Sequence, residues 1–171
     1  MISMILATGR DYSIGKSNQL LWHIPEDLQY FKEHTEGGIV VMGNNTSKSL
    51  PFKSGGLPNR ENVVLTTGKP SMHVFPKSNT TVQYVNDIEE VKTKLLGIKH
   101  KPVWICGGAA IYEAMKDIVD KVHWTKVDQD FPEADTHFNM DWVRNALQWE
   151  KISYKELTDD VSVSVYKRIK Q

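Results

Sequence analysis

Val103-Trp104-Ile105-Cys106-Gly107-Gly108-Ala109-Ala110-Ile111-Tyr112 is the stretch on which the fold turns. Four apolar residues read as a buried strand, two glycines interrupt it, and a helix carrying Ile111 and Tyr112 follows at once. Val40-Val41-Met42-Gly43 runs the same way into Asn44-Asn45-Thr46-Ser47. Glycine at a strand-to-helix turn lets a ligand approach the backbone, and a helix amino terminus suits phosphate. Such turns also arise from geometry alone. Two on one sheet edge reinforce each other, because ligands of open α/β sheets sit beyond the carboxyl ends of the strands.

The same alternation extends in both directions. Apolar, β-branched runs predict strands near 2–8, 39–43, 62–67, 81–85, 103–106, 121–127, 147–155 and 161–169, with 72–75 as a weaker ninth candidate. Asn86 or Asp87 caps a helix bearing Ile88, Val91 and Leu95, and Gly97 stops it. Ile111, Met115 and Ile118 mark another helical stripe. Strands alternating with helices imply right-handed crossovers and a mostly parallel sheet. Val161, Val163, Val165 and Ile169 alternate with polar residues after a strand with no helix between, so the turn Leu157-Thr158-Asp159-Asp160 closes an antiparallel hairpin at the sheet edge. The expectation is one three-layer α/β domain over 1–171: a mostly parallel, mixed sheet of eight strands, helices on both faces and a C-terminal antiparallel hairpin.

Composition narrows the function. The 171 residues suit a single domain with a real core. With 21 basic and 21 acidic residues the net charge is zero, which argues against a dedicated nucleic-acid binder. No apolar run reaches the ~18 residues of a membrane span, and the amino terminus lacks a leader pattern. The single cysteine, Cys106, excludes an internal disulfide framework and points to a reducing, cytoplasmic setting. No oligomer interface is legible, so a monomer is expected. The six histidines show no metal spacing, and no P-loop, G-x-G-x-x-G or G-x-S-x-G motif occurs, so no metal is expected. Cys106 at a strand end reads as core rather than nucleophile.

One carboxylate stands out. Pro25 fits the first position of a helix, which places Glu26 and Asp27 in the first turn, where the helix dipole favours anions. At ~100° per residue Ile24, Leu28, Phe31 and Thr35 share a face; Asp27 lies roughly 65° from its centre and Glu26 roughly 165° away. Glu26 is thus the dipole residue, and Asp27 the candidate for a half-buried site, where burial raises its pKa unless a donor satisfies it. Trp22 sits in the loop just before it. Arg60, after the Leu57-Pro58-Asn59 turn, reads as a solvated loop residue, with a bidentate clamp on a carboxylate as the alternative.

Taken together, Ile5-Leu6-Ala7, Ile14-Gly15, Leu20, Trp22, Pro25, Asp27-Leu28, Phe31-Lys32, Thr35, Met42-Gly43, Thr46, Leu57-Pro58, Arg60, Gly107-Gly108, Ile111-Tyr112-Glu113, Thr125 and Asp135-Thr136-His137-Phe138 resemble the dihydrofolate reductase family in order and spacing, over essentially the whole chain. The resemblance implies NADPH-dependent reduction of 7,8-dihydrofolate to 5,6,7,8-tetrahydrofolate, in support of one-carbon metabolism, with antifolates as inhibitors. Asp27 would bind the pterin's 2-amino group and ring nitrogen, supported by Trp22 and Thr125, with Leu20 in the catalytic set. Ile5, Ala7 and Cys106 would offer backbone groups near pterin and nicotinamide. Leu28, Phe31 and Leu50 would pack on the substrate, and Arg60, with Lys32 nearby, would clamp the glutamate tail.

For the cofactor the resemblance implies Ala7, Ile14, Gly15, Gly43, Asn44, Asn45, Thr46, Leu65, Thr66, Thr67, Lys69, Cys106, Gly107, Gly108, Ala109, Ala110, Ile111 and Tyr112, with a cis peptide between the two glycines. The loop from Gly9 to Ile24 resembles the family's mobile lid. The hydride must come from a nicotinamide held about 3–3.5 Å away, and a buried anion stabilises the cationic character of the protonated pterin. Four departures are visible: Leu21 where the family has proline, Asn44 where it has a basic residue, Asn59 where it has glycine, and Ala109-Ala110 where some members carry glycine and arginine. Thr66, Thr67 and Lys69 are then left for the adenosine 2′-phosphate. Two other readings stay open: a reductase of riboflavin synthesis, which lacks the tryptophan–aspartate pair, and a catalytically silent pterin- or nucleotide-binding protein.

Overall fold

The computed structural model describes residues 1–17, 20–52 and 54–170. Its strands are β1 (Ile2–Thr8), β2 (Ser13–Gly15), β3 (Ile39–Gly43), β4 (Glu61–Leu65), β5 (Ser71–Phe75), β6 (Thr80–Val85), β7 (Val103–Ile105), β8 (Lys121–Val127), β9 (Thr136–His137), β10 (Trp149–Thr158) and β11 (Val161–Arg168). The helices are α1 (Pro25–Thr35), α2 (Asn44–Ser49), α3 (Ile88–Leu96) and α4 (Ala109–Met115).

The main sheet runs β10-β11-β8-β1-β7-β3-β4-β6-β5. Its centre, from β8 to β6, is parallel. The hairpin β10–β11 adds antiparallel to β8 at one edge. The sheet has nine strands rather than the eight expected, because the weak run at 71–75 pairs antiparallel with β6. Met72 and Val74 are both largely exposed there, so the edge strand lacks the in-out alternation that makes a strand legible. A separate ribbon, β2 with β9, ties the loop after β1 to residues 135–138.

Two apolar layers flank the sheet. One holds Met4, Leu6, Ile105, Val122 and Trp124 under α3 and α4; the other holds Ile5, Val40, Met42, Trp104, Val163 and Val165 under α1. Residues alternate between the layers because successive strand side chains point to opposite faces. Asp87 caps α3 by accepting from Glu90 N–H at 3.1 Å, and Gly97 ends it. α4 stops at Met115, one turn short of Ile118, which packs on the core from the following turn. The hairpin turn is tighter than expected, since β10 runs on to Thr158 and leaves only Asp159-Asp160 to reverse the chain. Among the described residues no helix is long and apolar enough to cross a membrane.

Candidate active site

α1 does not present the face its apolar residues suggested. Leu28 is 43% exposed, while Tyr30 and Thr35 are buried. The inward face is Asp27, Tyr30, Phe31 and His34, residues spaced three and four apart. Asp27 therefore lies within that face rather than at its margin. The misreading came from counting Leu28 as core and Tyr30 as neutral. Glu26 is exposed, as expected.

Asp27 makes no ion pair among the described residues. Burial raises its pKa, and hydrogen bonding by the Thr125 hydroxyl opposes the rise. Thr125 is buried on β8, opposite Ala7 of β1. Trp22 packs on Phe131 with ring centroids 5.1 Å apart, and its buried Nε1 has no partner among the described residues. Leu20, by contrast, is 60% exposed and outside every apolar cluster. Asn18 and Gln19 of the expected lid lie outside the described residues. The rest of that loop is held by Asp135, which accepts from Ser17 N–H at 2.8 Å, and by Phe138 N–H donating to Tyr12. Ile14 packs on the core and Gly15 is buried.

Arg60 is only 6% exposed, which overturns its reading as a solvated loop residue. Its guanidinium stands 6.0 Å from the Phe31 ring centroid, its Nε has no partner, and it has no ion pair among the described residues. Burial lowers its pKa, against the pull of Glu36 and Cys106. A buried cation without an anion is costly and is retained where an anion arrives from outside. Asn59 before it has φ 58°, the left-handed region that glycine or asparagine enters most readily. The departure from the family's glycine is thus conformationally mild. Leu50 and Phe31 pack on the same apolar layer, whereas Lys32 is exposed.

The glycine turns lie side by side, because β3 and β7 pair in parallel. Gly43 N–H donates to the Gly107 carbonyl at 2.8 Å. The Gly107–Gly108 peptide is cis and Gly107 has φ 106°. A Cβ at Gly107 would stand 3.0 Å from the Tyr112 ring, and one at Gly43 3.2 Å from Ile111 Cγ1. Neither α2 nor α4 has a side-chain cap at its amino terminus. The Tyr112 hydroxyl donates to the Ile5 carbonyl at 2.9 Å. Asn44, Thr46 and Ala109 are half-buried at this edge; Asn45, Ala110, Thr67 and Lys69 are exposed, and Thr66 Oγ1 accepts from Gly68 N–H. Leu65 ends β4 beside them. Cys106 lies between the two halves, its thiol pushed up to about 12 by burial, so it is no nucleophile at neutral pH.

A carboxylate and a doubled glycine edge lie toward the carboxyl ends of β1, β3, β7 and β8, while a buried arginine with no ion pair among the described residues precedes β4, beside Phe31 of α1. The family model for dihydrofolate reductase matches residues 1–169. The chain belongs to the dihydrofolate reductase family. It is 32% identical to a dihydrofolate reductase of Bacillus subtilis over 160 residues, covering 94% of this chain and 86% of that protein. A Buchnera aphidicola dihydrofolate reductase is 31% identical over 158 residues, covering 92% and 87%. Among solved structures, the Enterococcus faecalis dihydrofolate reductase complexed with NADP(H) and RAB-propyl superposes with TM-score 0.78 at 26% identity, over 98% of this chain and 96% of that one.

Sequence reasoning missed the side chains behind Asp27. Tyr30, His34, Trp104 and His123 form one buried aromatic group. The available signal was spacing: Tyr30 follows Asp27 by one helical turn, and His123 precedes Thr125 by one strand repeat.

Proposed function

We infer that the chain reduces 7,8-dihydrofolate to 5,6,7,8-tetrahydrofolate with NADPH. The observation that carries the residue assignment is Asp27, a half-buried carboxylate facing Thr125 with no cationic partner among the described residues. Its anion binds the pterin's 2-amino group and ring nitrogen and sits where positive character develops on the protonated ring, in a setting of low dielectric. Thr125 and the unpartnered Trp22 Nε1 orient it. The proton arrives through water, since Asp27 meets the side of the pterin remote from the bond being reduced. Arg60 binds the carboxylate of the glutamate tail, and Phe31, Leu50 and Leu28 pack on the rings.

The glycine edge fits the cofactor: two glycine turns lie side by side ahead of α2 and α4, helices whose amino termini carry no side-chain cap, and such turns suit phosphate. NADPH supplies the hydride when bound. Gly43, Thr46, Gly107, Gly108 and the first residues of α4 hold its phosphates, while Ala7, Ile14, Gly15, Cys106 and Tyr112 border the nicotinamide. Thr66, Thr67 and Lys69, beyond β4, take the 2′-phosphate in place of the basic residue absent at Asn44. The enzyme works as a cytoplasmic monomer and binds antifolates in the Asp27 pocket. Loss of NADPH absorbance with dihydrofolate tests the reading; no turnover at saturating concentrations of both overturns it.

A further inference from the structure

We propose that Tyr30 and His123 are a positioning pair that seats α1 on β8 and thereby holds Asp27 against Thr125; the proposal rests on the reading of Asp27 given above. Residues 123 and 125 lie two apart on β8 and face the same side. Residues 27 and 30 lie three apart on α1 and share a face. The helix therefore meets the strand at two successive rungs. On one, the Thr125 hydroxyl serves the Asp27 carboxylate. On the other, Tyr30 Oη stands 2.6 Å from His123 Nδ1.

The second rung is closed to substrate, with Tyr30 9% and His123 8% exposed. His34 braces it, stacking on Tyr30 with centroids 3.9 Å apart while its Nδ1 donates to the Tyr30 carbonyl at 2.7 Å. Trp104 backs His123 at 5.1 Å. Burial lowers the His123 pKa to about 4, with His34 and Lys121 adding to the effect. Burial and the Asp27 charge raise Tyr30 to about 12. At neutral pH the bond therefore joins an uncharged phenol to an uncharged imidazole.

Little else fixes the helix directionally. Its N-cap, Ile24, supplies no side-chain hydrogen bond. Apolar packing of Phe31 tolerates sliding, because burial is non-directional. Among the described residues Tyr30–His123 is, beside the Thr125 contact, the side-chain hydrogen bond that joins α1 to a strand. A small rotation of α1 would carry the carboxylate off its rung, and misplacement of a positioned group on the scale of ~1 Å is costly in rate.

The test is single-turnover hydride transfer, followed across pH with saturating NADPH and dihydrofolate. Tyr30→Phe keeps the ring and loses the bond; His123→Phe does the same from the other side. Each is expected to slow hydride transfer by about fivefold, to shift the pH–rate profile and to leave the KM for NADPH unchanged. The double variant is expected to be no slower than either single one. His123→Asn, which keeps a polar atom near the Nδ1 position, is expected to recover most of the rate. Unchanged rates and pH profiles in Tyr30→Phe and His123→Phe, even with a lowered Tm, overturn the proposal, as do additive effects in the double variant. Asp27→Asn is run alongside. Full activity there sinks the underlying reading, whereas its loss together with a normal Tyr30→Phe sinks the positioning pair alone.

Discussion

The Asp27 pocket and the glycine edge solve opposite problems on one sheet. In the pocket, side chains do the recognising: among the described residues, a carboxylate without a cation, an arginine without an anion and an indole N–H without an acceptor. At the glycine edge side chains are left out, because Ile111 and Tyr112 pack where a Cβ at Gly43 or Gly107 would stand, and the backbone of the turns is what a ligand would meet. Deleting a functional group should cripple the first region, while adding a methyl should cripple the second.

Asp27→Asn carries the largest expected effect. It preserves shape but removes the anion, so hydride transfer should fall by about 10²–10³-fold at neutral pH, with partial recovery at low pH, where the substrate is already protonated. Rate measurements across pH check this. The same variant should be the more stable protein at neutral pH. Burial raises the folded pKa of Asp27 above its unfolded value, so its ionisation costs stability progressively as pH rises from the ordinary carboxylate range through the raised value. Thermal melts should therefore show the Asn variant above the parent at pH 7 and the difference vanishing in acid. A Tm advantage that persists in acid would contradict the assignment.

Arg60→Ala comes next, with dihydrofolate binding weakened by about 10- to 100-fold and NADPH binding intact by titration. A defect confined to NADPH would move Arg60 to the other region. Gly107→Ala should reverse that pattern: a Cβ at 3.0 Å from a buried ring and a residue at φ 106° cost about 1–3 kcal/mol, read as a lowered denaturation midpoint together with weakened NADPH binding. Asn59→Ala is the smallest, about 1 kcal/mol from the left-handed backbone, with kcat unchanged.

The two regions also differed in how well the sequence announced them. The glycine turns were legible because two of them fall on one sheet edge and reinforce each other, and β1, β3 and β8 lie at the expected bounds. Asp27 was found as well, but on a helix face drawn wrongly. Apolarity alone favoured Leu28, whereas the fold buries Tyr30, which is polar only at its tip and finds His123 93 residues downstream. Arg60 was hard for the same reason. Burial of a charged residue depends on partners brought together in space, and a linear pattern carries no record of them. The ninth strand was legible only as a weak candidate at 72–75, because an edge strand facing solvent on both sides has no period to read.

Cys106 has a practical consequence. A thiol held near 12 in the folded chain returns to about 8.5 once the chain opens. Alkylating reagents act on the thiolate, so at mildly alkaline pH the native protein should label more slowly than the opened one. This single sulfur, placed where β7 leaves the sheet and only partly covered, is then an intrinsic reporter: a ligand that covers this edge should slow its labelling in proportion to its occupancy.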